Sequence, residues 1–488
     1  MSGRRSLSAR PRAARPEVGI PTPPVTTATP TNAGPGDAAP LTAAAVSAVH
    51  TWLVESALPA SETDQIDLLR TLEELRSAVT AVQASAVLAV DASARADQAR
   101  AGVPVERCGR DVPVRLGLAL RESPARARSF LGAARAWHTE MPHTLAALRS
   151  GRLSPWRATL LVKETAHLPV ELREQVDAEI CADPHGLDGL GTAALVGRVK
   201  RRASELDPAS AAARARRAAS ERAVWIRPAP DTMAYVTALL PVAQGVGVHA
   251  ALRRAADTAV ASGEPRSRGQ IMADTLVERV TGQASADAVP VTVNLVMSDA
   301  TLLGAGQEPG LLVDGAAAVG AVPAQVARNL LANALDADAA WVRRLYADPR
   351  GHLVAASSTA RFFADGLGAL LRVRDQGLCR TPYCDAPVRQ LDHVVPDADG
   401  GPTDLDNGQG LCEACNQAKN SGALAQHVAR PPGARHTVVT TTSTGHRYAS
   451  TAPPPPRPAA RSPRVISAVE RRVERQLAGR VDSRWLAA

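Results

Sequence analysis

The decisive stretch reads Gly377-Leu-Cys379-Arg-Thr-Pro-Tyr-Cys384, then Leu391-Asp392-His393-Val394-Val395-Pro396, Gly400-Gly401-Pro402-Thr403, Asn407, and Cys412-Glu-Ala-Cys415-Asn416-Gln-Ala-Lys419. Four of the chain's six cysteines fall here, as two pairs with four and two intervening residues. Two short loops carrying such pairs present four thiolates tetrahedrally, the arrangement Zn²⁺ takes in structural sites. A hard cation does not select thiolates, and six cysteines in 488 residues do not make a disulfide scaffold. Cys379, Cys384, Cys412 and Cys415 are therefore expected to clamp a structural Zn²⁺, leaving no coordination position for a substrate. Cys108 and Cys181 stand alone in the sequence and read as small buried apolar residues.

Between the pairs sit groups suited to phosphodiester hydrolysis. Asp392 and His393 end a short apolar run. If that run is a strand, their side chains leave on opposite faces, so one can hold a metal while the other faces water. Asn416 and Lys419 are three apart and share one face of a helix that Cys412 should open. Mg²⁺ takes one or two protein oxygens plus waters and phosphate oxygens, a demand that Asp392 and Asn416 meet. A neutral imidazole can accept the proton of a water nucleophile near pH 7. The Gly400-Gly401-Pro402-Thr403 loop turns the chain back between two strands.

This passage resembles the HNH endonucleases, which fold as a ββα-metal unit. The matching residues are His393 of the Asp-His pair, Asn407 beyond the Gly-Gly-Pro-Thr loop, and Asn416 after the second cysteine pair. The resemblance implies that His393 is the general base and that Asn407 holds the loop carrying it. It further implies that Asp392 and Asn416 ligate a catalytic Mg²⁺ or Mn²⁺. The third signature position is Asn416 rather than His, an H-N-N variant of the pattern.

Outward from this unit, charge is uneven. Residues 365–420 carry −4, residues 1–40 carry +3 and residues 421–488 carry +8, so the basic excess lies at the two ends. Only Lys163, Lys200 and Lys419 are lysines, an arginine skew that reads as genome composition. Just 13 residues are aromatic, so a large core must be aliphatic and alanine-rich, which favours helix packing. No run reaches about 18 apolar residues, so neither a transmembrane helix nor a membrane partner is expected. The arginine-bearing N-terminus has no following apolar run, so a cytoplasmic protein without a secretory signal is expected.

Helical periodicity begins near Leu41, with an apolar stripe through Ile66, Leu69, Leu72, Leu75, Val79, Val82 and Val87. Ser123-Pro124, Met141-Pro142, Ser154-Pro155 and Leu168-Pro169 mark successive helix starts of an antiparallel bundle. Arg198–Arg222 is basic and helical. It is either a solvated face or, through Arg214, Arg216 and Arg217, a surface that contacts nucleic-acid phosphates. Ala223–Pro228, Met233–Leu240 and Val289–Met297 alternate as strands, and Pro323–Leu335 reads as a helix. His436–Thr442 and His446–Ser450 form an exposed hairpin, followed by a proline-rich spacer and a short basic helix over 463–486.

Ala134–Leu168, with Leu148-Arg-Ser-Gly-Arg-Leu-Ser154 at its centre, and Arg214–Leu240 resemble the domain of unknown function 222. That domain precedes an HNH unit in many actinobacterial proteins, including the 13E12 repeat family. The similarity spans roughly 41–350 and implies no activity by itself. The expected architecture is a basic disordered arm (1–40), then a mainly α region with a small β element (41–350). A small zinc-stabilised ββα-metal domain (365–425) and a hairpin with a basic tail (430–488) follow. The expected function is metal-dependent cleavage of DNA, with Lys419 as a further nucleic-acid contact. The alternative is a non-cleaving zinc-knuckle protein that binds nucleic acid. In either case the helical region is open to a protein partner, and oligomeric state is open.

Overall fold

The computed structural model describes residues 40–229, 233–283, 285, 294–302, 304, 306–314, 317–336, 357–358, 362–363, 365–429 and 435–454. The expected N-terminal arm before residue 40, the first half of the Val289–Met297 strand and the tail helix over 463–486 lie outside the described residues. The chain divides into two compact units, Met1–Leu69 and Arg70–Ala488.

Helix α1 (Ala43–Glu55) belongs to the first unit, and none of its residues is buried. Helix α2 (Glu62–Arg100) begins there and continues into the second. Its buried face keeps Val87 of the stripe expected from sequence but is otherwise Ser77, Ala81, Ala84, Asp91 and Ala94. Ile66, Leu69, Leu75, Val79 and Val82 are exposed instead. Small side chains let neighbouring helices approach closely, so the alanine face makes the tighter contact and wins over the larger residues. By length and composition alone α2 could cross a membrane, contrary to the sequence reading. Here its inner face is built into the helical core and carries Asp91, paired with Arg95 and Arg135.

The core is completed by α3 (Val112–Leu120), α4 (Pro124–Thr139), α5 (Pro142–Arg149), α6 (Pro155–Thr165), α7 (Val170–Cys181) and α8 (Thr192–Leu206), with α9 (Pro208–Ser220) following. Proline opens α4, α5 and α6, where its missing N–H costs nothing and its fixed φ suits a helix. Ser123 and Ser154 cap α4 and α6 by accepting from the amides of Arg126 and Arg157. Met141 cannot cap α5. The buried carboxylate of Asp177 on α7 does so, accepting from His143 N at 2.7 Å and Thr144 N at 2.8 Å. Trp137, Met141, Leu148, Leu153 and Leu195 are fully buried at the centre of this cluster. Cys181 packs within it and Cys108 is buried, as their isolation in the sequence suggested.

Strands β1 (Ala223–Pro228) and β2 (Ala234–Leu239) form an antiparallel hairpin, and α10 (Val242–Ala261) packs on α11 (Arg268–Thr281). A three-stranded antiparallel sheet, β3 (Asn294–Val296), β4 (Gly310–Asp314) and β5 (Ala317–Val322), is accompanied by α12 (Asp299–Leu302) and α13 (Ala324–Asp336).

The C-terminal unit is assembled around β7 (Gln390–His393), β9 (Gly408–Leu411) and α15 (Glu413–Asn420). Strands β7 and β9 are antiparallel, with Asp392 opposite Gln409 and His393 opposite Gly408. Between them β8 (Thr403–Asp404) pairs with β6 (Ser357–Ser358). Helix α14 (Asp365–Arg374) is bolted to this pair by charge. Asp375 accepts from Gly410 N at 2.8 Å, and Arg374 donates to the carbonyls of Leu405 and Gly408. Beyond α15, β10 (Leu424–Val428), β11 (Thr437–Thr442) and β12 (Arg447–Thr451) form one sheet. The expected exposed hairpin is thus half-buried: Val438, Thr440 and Thr442 face inward, and Arg380 donates to the carbonyls of His436 and Ser450. The third strand, β10, gives β11 a partner on its other edge, which the hairpin reading lacked.

Candidate active site

The four cysteines meet as their spacing implied. Their Sγ atoms all lie within 4.8 Å of one another, and all four residues are buried. Cys412 is the N-cap of α15, so its backbone turns out of the strand as the helix begins and brings Cys415 one turn on. Four thiols this close cannot share negative charge without a cation. Hydrogen bonds from Cys379, Cys384 and Cys415 pull the Cys412 thiol down, while hydrogen bonding to Cys379 pushes Cys384 and Cys415 up. A soft, thiophilic divalent ion satisfies this donor set, and Zn²⁺ fits it. The cluster also packs on the helical core: Val114 and Leu118 of α3 join Cys379, Cys384, Cys412, Cys415 and Leu411 in one apolar group.

Asp392 and His393 leave β7 on opposite faces. On one face, the Lys419 ammonium reaches from α15 to Asp392 Oδ2 at 2.6 Å and to the carbonyl of His393. One turn back, Asn416 Nδ2 donates to Gln390 Oε1, two residues before Asp392 on the same face of the strand. Asn416 and Asp392 therefore flank the seam between β7 and α15. The Asn416 Oδ1 atom is buried there with no hydrogen-bond partner. An orphaned amide oxygen and a carboxylate on the same side of one strand are the kind of oxygen donors that a hard cation such as Mg²⁺ takes.

On the other face His393 is 8% exposed, its ring centroid 4.5 Å from that of Phe363. Its Nε2 shares a 2.9 Å hydrogen bond with Thr403 Oγ1. Among the described residues no hydrogen bond engages Nδ1. With Thr403 accepting from Nε2–H, Nδ1 is the free basic nitrogen.

Asn407 works on the loop between these strands. Its Oδ1 accepts from Val395 N at 2.9 Å, and its Nδ2 donates to the carbonyls of Val395 (3.0 Å) and Pro402 (2.9 Å). All three bonds go to the loop that leaves His393, so Asn407 ties that loop together. Gly401 is required beneath it, because a Cβ there would overlap the carbonyl oxygen of Val395 and crowd Asn407 Nδ2.

Residues 379–422 match the family described as HNH endonuclease. Residues 67–375 match the one described as domain of unknown function (DUF222), which covers more than half of the chain. The chain belongs to the DUF222 family. It carries an HNH endonuclease domain at its C-terminal side, the domain of a nuclease family. No curated protein and no solved structure matches it.

Among residues singled out from sequence, the structure brings together the four cysteines, and brings Asp392, His393, Asn407, Asn416 and Lys419 onto β7, its loop and α15. Arg214, Arg216 and Arg217 lie elsewhere, on α9. Arg214 is engaged internally, donating to the carbonyl of Glu164 and sharing a 3.2 Å bond with His167 Nδ1, and Arg217 faces Glu221 on its own helix. Burial and the nearby Arg214 charge lower the pKa of His167, consistent with that contact. Sequence reasoning missed Thr403, Phe363 and Gln390. Thr403 alone had a signal, as the last residue of the Gly-Gly-Pro-Thr loop.

Proposed function

We propose that this DUF222 protein is a divalent-metal-dependent endonuclease that hydrolyses phosphodiester bonds in DNA. The observation that carries the reading is the pairing of two unengaged polar atoms on the two sides of β7: His393 Nδ1, without a hydrogen bond among the described residues, and the buried, unpartnered Asn416 Oδ1 on the side of Asp392. Asp392 and Asn416 would hold Mg²⁺ or Mn²⁺, which when bound stabilises charge on the scissile phosphate and its leaving oxygen. His393 Nδ1 takes the proton from the attacking water, and Thr403, engaged with Nε2, leaves this nitrogen for that task. Phe363 packs against the ring and limits its rotation. Asn407 fixes the loop that follows His393, so the base cannot swing with it. The four-cysteine Zn²⁺ site anchors the start of α15, and with it Asn416.

A second reading, nucleic-acid binding without cleavage, draws on Lys419. Its ammonium occupies one oxygen of Asp392 and repels a cation brought to the other. One experiment separates the two. Supercoiled DNA incubated with the protein should be nicked or cut with Mg²⁺ or Mn²⁺ but not without them. His393→Ala should abolish cutting while retaining one zinc per chain. Cutting that persists in the variant overturns the assignment of His393, and binding without any cutting by the unaltered protein selects the second reading.

A further inference from the structure

A cavity of about 430 Å³ lies where the helical core meets the outer side of the HNH helix. Arg95, Arg110, Arg128 and Arg135 line it from the core, with Gln417 of α15. No acidic residue lines it. Two acids adjoin its lining. Asp91 is 6% exposed and pairs with Arg95 (3.0 Å) and Arg135 (2.6 Å), and Glu413 accepts from Gln417 at 3.1 Å.

Asp91 holds Arg95 and Arg135 in place rather than leaving them free to wander. Arg95 forks onto both oxygens of Asp91 and donates to the carbonyl of Cys108. It lies across Gly109, where any Cβ would collide with its guanidinium, so that glycine makes room for it. Arg110 is tethered through Nε to the carbonyl of Glu106, which leaves its terminal nitrogens free to face the cavity. Arg128 has no hydrogen bond or ion pair among the described residues. With Asp91 and Glu413 set against the four arginines, the slot keeps a positive excess of two. Guanidiniums converging on a slot are the recognition chemistry of phosphate, because their planar donors pair with its oxygens, and the two that Asp91 holds do so at little further entropic cost.

Position gives the slot its meaning. Gln417 faces it, while Asn416 and Lys419 of the same helix face Asp392 and Gln390. The slot and the candidate metal site are therefore separated by one helix, about 10 Å across. We propose that this arginine slot of the DUF222 core grips the phosphate backbone of DNA beside the bond presented to the HNH domain. The inference rests on the nuclease reading and gives the helical domain a share in substrate binding. Since the HNH segment itself is acidic, at −4 over residues 365–420, cationic surface must come from elsewhere in the chain.

The test uses Arg110 and Arg128, because removing Arg95 or Arg135 would strip Asp91 of a partner and could cost stability by itself. Binding of a labelled DNA duplex is measured against salt concentration in a His393→Ala background without added Mg²⁺, so that nothing is cut. Arg110→Ala combined with Arg128→Ala should weaken binding on the order of tenfold and flatten the log–log salt slope by about 2. The same pair in the otherwise unaltered protein should raise KM for DNA and leave zinc content and Tm unchanged. Arg253→Ala with Arg254→Ala, exposed on α10, serves as the charge-matched control. An unchanged slope in the slot variant, or an equal loss in the control, overturns the proposal. If the unaltered protein cuts DNA but the slot variant binds normally, the slot fails and the nuclease reading stands. If the protein binds through the slot yet never cuts, the nuclease reading fails and the slot stands.

Discussion

Lys419 Nζ donates to Asp392 Oδ2 at 2.6 Å from a side chain that is almost wholly buried between α15 and β7. The same ammonium also serves the carbonyl of His393, so one lysine fastens the helix to both members of the Asp-His pair. The sequence suggested a contact to nucleic acid for this residue, and its burial makes it first an internal tie.

Replacing it should show both roles. Lys419→Met leaves Asp392 and the His393 carbonyl short of a donor, which should cost about 2–3 kcal/mol given that Asp392 keeps some access to water. The measurement is thermal or urea unfolding with zinc bound. In a cleavage assay the half-saturating Mg²⁺ concentration should fall, since the competing cation is gone. An unchanged midpoint would mean that the pair contributes nothing to folding.

The cysteine cluster is shared between the HNH unit and α3, so losing its metal should be felt in both. Cys415→Ser should lose the zinc, measured as metal per chain by mass spectrometry. It should also lower protection of α3 amides to hydrogen exchange, because Val114 and Leu118 pack on that cluster. Cys181→Ala is the contrasting case. Burial pushes the Cys181 thiol up to about 11, so it is a neutral apolar group in the helical core. That variant should keep its zinc and lose about 1 kcal/mol of stability.

His436 makes the C-terminal sheet sensitive to acid. Burial, reinforced by the nearby Arg374 and Arg380 charges, lowers its pKa to about 4, although the carbonyl of Asp406 and the carboxylate of Asp375 pull the other way. Its Nε2 donates to that carbonyl at 2.8 Å, and its Nδ1 is buried without a partner. The unfolded chain binds a proton near pH 6.5, and the folded chain resists it until about pH 4. Stability from this group is therefore complete above pH 6.5 and is lost progressively as pH falls to about 4, a change on the order of 3 kcal/mol. His436→Gln should flatten that part of the curve of Tm against pH. A curve with the same slope in the variant would assign the acid sensitivity to other groups.

What the sequence made legible follows from how locally each feature is encoded. Ser-Pro pairs announce the starts of α4 and α6 because capping and proline geometry involve only neighbouring residues. The cysteine spacing likewise led to the clustered thiols, and the Asp-His pair to two faces of one strand. Val87 apart, the buried face of α2 was illegible, since Ala81, Ala84 and Ala94 are inside only because other helices approach them. Asp177 capping α5 from 33 residues away, and Arg374 and Asp375 securing β9, are likewise tertiary facts with no local signature. Of the site, the titratable residues could be read. The setting of His393 among Thr403 and Phe363, which orients it, could not.

Asn407 offers the sharpest separation of positioning from chemistry. Its amide bridges Val395 and Pro402 across the loop, satisfying one N–H and two carbonyls that are otherwise short of partners. Asn407→Ala should cost about 3 kcal/mol, near 1 kcal/mol for each bond. Because the side chain faces the loop, DNA binding should survive and KM should change little, whereas kcat should fall by at least tenfold as His393 loses its fixed approach. Asn407→Asp keeps the acceptor for Val395 N but sets a carboxylate against two carbonyl oxygens. It should therefore recover little of the stability and little of the kcat. A variant that binds and cuts at the original rate, at a temperature where it is folded, would show that the loop needs no clamp. A loss confined to KM would place Asn407 in contact with the substrate instead.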